Sequence, residues 1–375
     1  MPDRLSHQPA TPPAFGVYLH IPFCSTRCDY CAFATWTDRP HLIEGYLDAC
    51  ALDVRRVVAD GMPAATSVFV GGGTPSLVPA QRLTEVLAEV PVADGAEVTV
   101  ECNPDTVTAD LVRTYRDGGV NRISLGVQSM VPHVLAALGR THDPENVRRA
   151  VDHVGEAGFA TFNLDLIYGA AGEGLDDWRR TLDEALALDP PHVSAYGLTV
   201  EAGTPLASDP ARHPDDDTQA DEYLLASERL PAAGLAWYEI SNWARPGHEC
   251  RHNLLYWEQG EYLGFGCAAH SHRDGRRWWN VRTPERYIDA VRRGTNPEAA
   301  GERLSAGERT IEGLQLALRT RAGVPASALP LDELDGLLDV TDERAVLTAA
   351  GRLLANEVAV RLRVPPGARL TPSAG

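Results

Sequence analysis

No stretch of this 375-residue chain approaches the run of about eighteen apolar residues that a helical membrane span requires, so a transmembrane segment is not expected. The first fifteen residues, Met1 to Phe15, hold four prolines and no apolar h-region, and read as a disordered lead-in over residues 1–14 rather than a targeting peptide. Positive charge is also scarce. The 34 basic residues face 52 acidic ones, a net charge of −18, which excludes a general role on nucleic acid or an anionic membrane surface. Lysine is absent altogether, a compositional trait that carries no functional information. Seven cysteines occur without a paired framework, which points to thiols kept reduced and to a cytoplasmic protein.

Three of those cysteines stand together in Cys24-Ser25-Thr26-Arg27-Cys28-Asp29-Tyr30-Cys31, a C-x3-C-x2-C spacing directly after the apolar run Val17–Ile21. Three thiolates on one short loop suit three irons of a cubic [4Fe–4S] cluster and leave the fourth iron open for chemistry. A structural zinc site is the competing reading, but it wants four ligands, and no other cysteine lies within fifteen residues of the trio on either side. Cys50, Cys102, Cys250 and Cys267 are scattered.

Short apolar, β-branched runs recur with helical patterns between them, the signature of βα units on a parallel sheet. Strands are expected at Val17–Ile21, Ser67–Gly71, Glu97–Glu101, Asn121–Val127, Thr161–Ile167 and His192–Leu198, and helices at Leu42–Ala59, Pro79–Val90, Ala109–Gly118, Asn146–Gly158 and Leu175–Leu188. Six such units with right-handed crossovers give an α/β fold, a partial (β/α)6 barrel of the TIM type over residues 15–245, with a smaller C-terminal α+β domain over residues 246–375. Polar and glycine-rich groups fall at the C-terminal strand ends, where barrels collect their functional residues. They are the three cysteines, Gly71-Gly72-Gly73-Thr74-Pro75-Ser76, Glu101, Gln128 and Asp165. Glycines let backbone approach a ligand closely and present its amides. Individually each of these has a plainer reading, as a tight turn, a solvated strand end or a helix cap; together with the cysteine trio they point to one mouth.

The cysteine loop and the glycine turn resemble the radical S-adenosylmethionine (SAM) superfamily. That resemblance implies a [4Fe–4S] cluster on Cys24, Cys28 and Cys31, and SAM contacted by Tyr18, Tyr30, Gly72, Gly73, Thr74, Glu101, Gln128, Arg140 and Asp165. The wider series of Tyr18 to Cys24, GGGTPS, GVQS, Leu138-Gly139-Arg140-Thr141-His142 and Asn163 to Gly169 is similar to the family of oxygen-independent coproporphyrinogen III oxidase and its relatives, over nearly the whole chain. The oxidase reads C-x3-C-x2-C-x-C, whereas Phe33 stands at the fourth position here, and only about fourteen residues precede the first strand where the oxidase has a longer arm. Both departures count against the oxidase reaction. Arg251-His252-Asn253-Leu254-Leu255-Tyr256-Trp257 instead resembles the H-N-x-x-Y-W motif of the haem chaperone (HemW) branch. This implies haem near His252 and transfer to haem-accepting proteins, with an electron donor for the cluster and a homodimer as further expectations. The alternative is a radical SAM enzyme of tetrapyrrole metabolism.

The residues leave the haem ligand open. His248, Cys250, Cys267, His270 and His272 lie close to His252 in sequence, and all are suitable ligands for iron. His252 and Asn253 equally suit a hydrogen-bonded loop, and the aromatics Trp237, Tyr238, Trp243, Tyr262, Trp278 and Trp279 suit an interdomain core. Between Ala207 and Thr218 an acidic stretch reads as a solvated loop. Further on, helices are expected at Ala220–Leu230, Thr283–Arg293, Ala306–Arg319 and Leu331–Leu338, a strand at Trp237–Ser241, and a winged-helix-like end at Val346–Asn356. The acidic balance excludes a DNA-reading role for that end.

Overall fold

A computed structural model describes residues 13–140, 142–341 and 343–364; Met1 to Pro12 of the expected lead-in, and Thr141 of the Arg-Thr-His motif, lie outside the described residues. The six expected strands are all present: β1 (Phe15–Ile21), β2 (Ala65–Gly72), β3 (Val92–Cys102), β4 (Arg122–Gln128), β5 (Thr161–Tyr168) and β6 (His192–Gly197). The crossovers carry α1 (Ile43–Ala59), α2 (Ala80–Leu87), α3 (Ala109–Asp117), α4 (Pro132–Ala137) with α5 (Pro144–Glu156), and α6 (Leu175–Leu186). All five neighbouring pairs from β1 to β6 run parallel. On β1 the residues Val17, Leu19 and Ile21 join the core, while the alternate residues Tyr18 and His20 border cavities on the opposite, concave face. Strands covered on both sides must be apolar in near-continuous runs, which is why these six were legible.

The sheet is an open arc that grows at both edges. After α7 (Asp216–Ala232), the short strands β7 (Ala236–Glu239) and β8 (Asn242–Ala244) add antiparallel beyond β6. After α8 (Arg251–Trp257), β9 (Glu261–Phe265) adds parallel to β1, followed by antiparallel β10 (His270–Arg273), β11 (Arg276–Asn280) and β12 (Glu298–Arg303), with α9 (Pro284–Arg292) between the last two. The result is one twelve-stranded sheet in the order β12-β11-β10-β9-β1-β2-β3-β4-β5-β6-β8-β7. The chain on both sides of residue 246 therefore belongs to this sheet.

The end of the chain builds a second, smaller core. Helix α10 (Ala306–Ala317) packs with β13 (Val324–Pro325), β14 (Leu338–Thr341), β15 (Arg344–Leu347), α11 (Ala349–Leu353) and α12 (Ala355–Ala359) around Leu314, Leu318, Ala345 and Val358. The helix expected over Leu331–Leu338 does not form. Pro330 stands before it and Gly336 adopts φ +75°, so the helical spacing yields a single 3-10 turn at Leu331–Glu333 and the chain leaves as β14. Among the described residues no helix is long and apolar enough to cross a membrane.

One buried acidic pair gives the barrel wall a pH signature. Glu222 of α7 is 0% exposed, and both its carboxylate oxygens lack a hydrogen-bond partner among the described residues. Burial, with nearby Glu173 adding to it, pushes its carboxyl up to about 8. A carboxyl raised on folding stabilises below its unfolded value and loses that contribution as the pH climbs through the folded one. Glu222→Gln, which mimics the protonated form, should leave the melting temperature unchanged near pH 4.5 and raise it by about 3 °C near pH 8.5. An equal shift at both values would refute a protonated Glu222.

Candidate functional site

The cysteine loop leaves β1 and is closed by backbone bonds: Trp36 N–H donates to the Pro22 carbonyl at 2.8 Å, and Cys24 N–H to the Trp36 carbonyl at 3.1 Å. All three thiols are half-buried. Burial pushes those of Cys24 and Cys31 up, and the Thr74 hydroxyl opposes this at Cys24 by donating to its sulfur at 3.6 Å. Arg140 Nη1 donates to Cys28 Sγ, also at 3.6 Å. Donors aimed at sulfur favour the thiolate and tune whatever the sulfur ligates. Among the described residues no three His, Cys, Asp or Glu side chains converge on one ion.

The acidic stretch after β6 takes part in this loop. Arg212 donates to Asp29 Oδ2 at 2.8 Å and to the Ala137 carbonyl at 2.6 Å, while Leu206 N–H donates to the Asp29 carbonyl at 3.0 Å. Asp29, between the second and third cysteines, is thus fastened from across the mouth. The expectation of a merely solvated loop is corrected by these contacts.

The glycine turn is needed for close packing. A Cβ on Gly73 would stand 2.7 Å from the Phe23 carbonyl oxygen and 3.0 Å from Cys24 Sγ, and one on Gly72, at φ +112°, would enter the His20 ring. The amides are already taken: Gly73 N–H donates to the Ile21 carbonyl, Thr74 N–H to that of Phe23, and Gly72 N–H to Glu101 Oε2 at 3.2 Å. The expectation that these amides face a ligand gives way to one in which they hold the cysteine loop in place.

Tyr18 and His20 point to the concave face of β1. His20 Nε2 must donate to the Ala34 carbonyl at 2.9 Å, because a carbonyl only accepts, so Nδ1 carries the lone pair and accepts from the Tyr18 hydroxyl at 3.0 Å. Burial lowers His20 to about 4, keeping it neutral. This chain ties the barrel wall to the far end of the cysteine loop. Deeper in, burial raises Glu101 to about 8, with Asp165 adding to the effect, and Asp165 is itself pushed up by burial while accepting from Ser124 Oγ and Asn163 Nδ2, both at 2.8 Å. Gln128 sits at a bulge with φ +65°, a conformation rare for a side-chain-bearing residue. Arg140 also donates through Nη2 to the Gly126 carbonyl at 2.7 Å, and its Nε–H is buried without a partner among the described residues. Tyr30, half-buried, packs against the small apolar cluster of Val131 and Leu138.

Tyr18, Glu101 and Asp165 border a cavity of about 290 Å3 that is also lined by Gly72, Arg122 and His252. The Thr99 hydroxyl, which lines the cavity, is buried without a partner among the described residues. SAM carries a carboxylate, an ammonium, a sulfonium and ribose hydroxyls, and this lining offers the guanidinium of Arg122 and the carboxyls of Glu101 and Asp165 for such groups. A second cavity of about 850 Å3 adjoins it over β9 to β11 and is bounded by His270, Tyr262 and Trp279. Tyr18, Phe33 and Tyr256 border both.

The H-N-x-x-Y-W motif forms helix α8. His252 is 1% exposed, its Nδ1 bonded to Ser67 Oγ at 3.0 Å and its Nε2 to the Tyr256 hydroxyl at 2.8 Å, with the ring stacked on Phe69. Burial lowers it to about 3. Cys250 donates to Glu97 Oε1, and buried Cys267 receives the Tyr46 hydroxyl. Of the aromatics expected in a core, Tyr238 and Trp243 are fully buried, but Tyr262 and Trp279 line the larger cavity. Sequence reasoning assigned no role to Arg122 or His20; the signal was a charged residue opening a strand and an imidazole alternating with a tyrosine.

A family model described as the radical SAM superfamily matches residues 18–185. The heme chaperone HemW of Mycobacterium tuberculosis H37Rv is 44% identical over 376 residues, 94% of this chain and 95% of that protein. The chain belongs to the heme chaperone HemW family. The relative of that name in Escherichia coli K12 is 41% identical, covering 75% of this chain and 78% of its own, and that of Bacillus subtilis 33%, covering 92% and 97%. Among solved structures, the coproporphyrinogen III oxidase HemN of Escherichia coli, a radical SAM enzyme, superposes with a TM-score of 0.82 at 23% identity, over 94% of this chain and 91% of that one. That likeness establishes the fold, a radical SAM α/β arc as expected from the sequence.

Proposed function

We propose that this chain binds haem and passes it to haem-requiring proteins, and that it holds a [4Fe–4S] cluster on Cys24, Cys28 and Cys31 with SAM at the barrel mouth. The observation that carries the reading is the pair of adjoining cavities. One, reached from the cysteine loop past Phe33, is lined by Arg122, Glu101 and Asp165, groups suited to the charges and hydroxyls of SAM. The other, at about 850 Å3, falls in the range of roughly 300–1,000 Å3 typical of ligand pockets and is walled by aromatic and imidazole side chains. The family name of the relatives supports the same cargo.

A [4Fe–4S] cluster with SAM on its open iron supplies one-electron cleavage chemistry when both are bound. This chain's residues would do the holding. Thr74 and Arg140 donate to the sulfurs, Arg212 pins Asp29 between two of the cysteines, and the Tyr18–His20–Ala34 chain fixes the loop's far end. Gly72, Gly73 and Thr74 seat the loop against the second strand, while Arg140 holds Cys28 from the end of β4 and Tyr30 anchors the loop on Val131 and Leu138. Phe33, at 66% exposed, occupies the position where the oxidase pattern has a fourth cysteine and stands between the two cavities. A reducing, cytoplasmic setting, an external electron donor and self-association belong to the same reading.

The second reading, decarboxylation of coproporphyrinogen III, is favoured by the shared fold alone. One anaerobic preparation separates the two. Haem titration should saturate at one haem per chain, and coproporphyrinogen III incubated with SAM and a reductant should remain unchanged. SAM-dependent decarboxylation at a catalytic rate would overturn the carrier reading.

A further inference from the structure

We infer that the haem lies in the larger cavity over β9 to β11, with its iron on His270 and its propionates toward Arg282 and Arg286, and that His252 is a structural tie. This rests on the haem-carrying reading above. His252 has both ring nitrogens hydrogen-bonded, its ring clamped on Phe69, and almost no exposed surface. Iron could reach it only by breaking two buried hydrogen bonds that join α8 to β2. Cys250 and Cys267 are buried with partners of their own. His248 does not line the cavity; its carbonyl receives Arg122 at 2.9 Å.

Three histidines line the cavity, but His20 has both ring nitrogens hydrogen-bonded, to Tyr18 and Ala34, which leaves His270 and His272, alternate residues of β10 and so on one face. His272 is 6% exposed. Its Nδ1–H donates to the Gly260 carbonyl at 2.9 Å, and its Nε2, without a partner among the described residues, is buried so that iron could reach it only by displacing the chain that covers it. His270 differs in each respect. Its ring is exposed, makes no side-chain hydrogen bond among the described residues, and rests on Trp279 with centroids 5.6 Å apart and planes 27° apart. It is an accessible imidazole with its orientation set by stacking, the form an axial ligand requires.

The walls match a porphyrin. Phe33, Tyr256, Tyr262 and Trp279 give the cavity an aromatic lining. Charge is placed at one side. Arg277 is tied to Glu302 and Glu312, but Arg282 and Arg286 make no salt bridge among the described residues and are exposed at the rim. In a chain with 52 acidic residues, two guanidinium groups without carboxylate partners beside an aromatic cavity fit a ligand that brings its own carboxylates.

The test is ferric haem titration of the full chain under anaerobic conditions, read by the Soret band and by electron paramagnetic resonance of the haem iron, with melting temperature recorded for each variant. His270→Ala should lower affinity at least about tenfold and lose the imidazole-ligated signature, and free imidazole should restore it. Arg282→Gln with Arg286→Gln should weaken binding without altering the iron spectrum. His252→Ala should lower the melting temperature and keep the spectrum. A His270→Ala protein that retains the wild-type iron signature, or a His252→Ala protein that loses it at unchanged melting temperature, would overturn the assignment. Wild-type protein that takes up no haem would instead refute the carrier function itself.

Discussion

Replacing Cys24, Cys28 or Cys31 by alanine abolishes the visible sulfur-to-iron absorption after anaerobic reconstitution, and each replacement alone suffices. Three thiolates leave no spare ligand. The remaining cysteines, Cys50, Cys102, Cys250 and Cys267, are buried in cores, and the position two residues beyond Cys31 is a phenylalanine. The effect is therefore all or none, whereas replacing Thr74 or Arg140, which only donate to sulfur, should shift the cluster's reduction potential and leave iron content intact. Iron and sulfide analysis, with the absorption spectrum, decides it. Full clusters in all three cysteine variants would remove the basis of the site.

The second large effect lies on the barrel floor. Arg122 is 2% exposed, and its Nη1 donates to Thr161 Oγ1 at 3.1 Å and to the His248 carbonyl at 2.9 Å, binding β4 to β5 and to the turn before α8. Its charge also favours the ionised form of Asp165. Arg122→Met removes the cation and leaves buried acceptors and carboxyls without it, which costs about 3–5 kcal/mol. Burial already raises Asp165, and losing Arg122 raises it further, so the penalty should be smaller near pH 5 than near pH 8, because protonation of that carboxyl removes the charge that Arg122 offsets. Denaturant midpoints at the two pH values measure this. A midpoint unchanged at both would mean that the arginine contributes nothing net.

The contrast between legible and illegible parts has a physical origin. β1 to β6 were readable because a parallel strand covered on both faces must be apolar throughout, as in Ile123, Leu125 and Val127. The mouth residues were readable because cysteines, glycines and carboxylates interrupt that apolarity at strand ends. β10 to β12 gave no such signal. His-Ser-His-Arg, Arg-Arg-Trp-Trp-Asn and Glu-Ala-Ala-Gly-Glu-Arg are short antiparallel strands whose exposed face is polar, and nothing in them marks a sheet. Those same strands build the floor of the larger cavity, so the histidine facing it was one candidate among several. His252 stood out in sequence because of its motif, and the motif turns out to knit α8 against β2. The Leu331–Leu338 stretch failed differently: its leucine spacing is helical, but a proline before it and a glycine at positive φ within it override the spacing.

Tyr18, Phe33 and Tyr256 form a common wall between the two cavities. A ligand that displaces this wall from one side changes the room available on the other. Any such displacement makes the two occupancies thermodynamically reciprocal: the factor by which SAM alters haem affinity is the factor by which haem alters SAM affinity. Loading and release of one ligand can then be set by the state of the other, with no movement of the sheet beneath them.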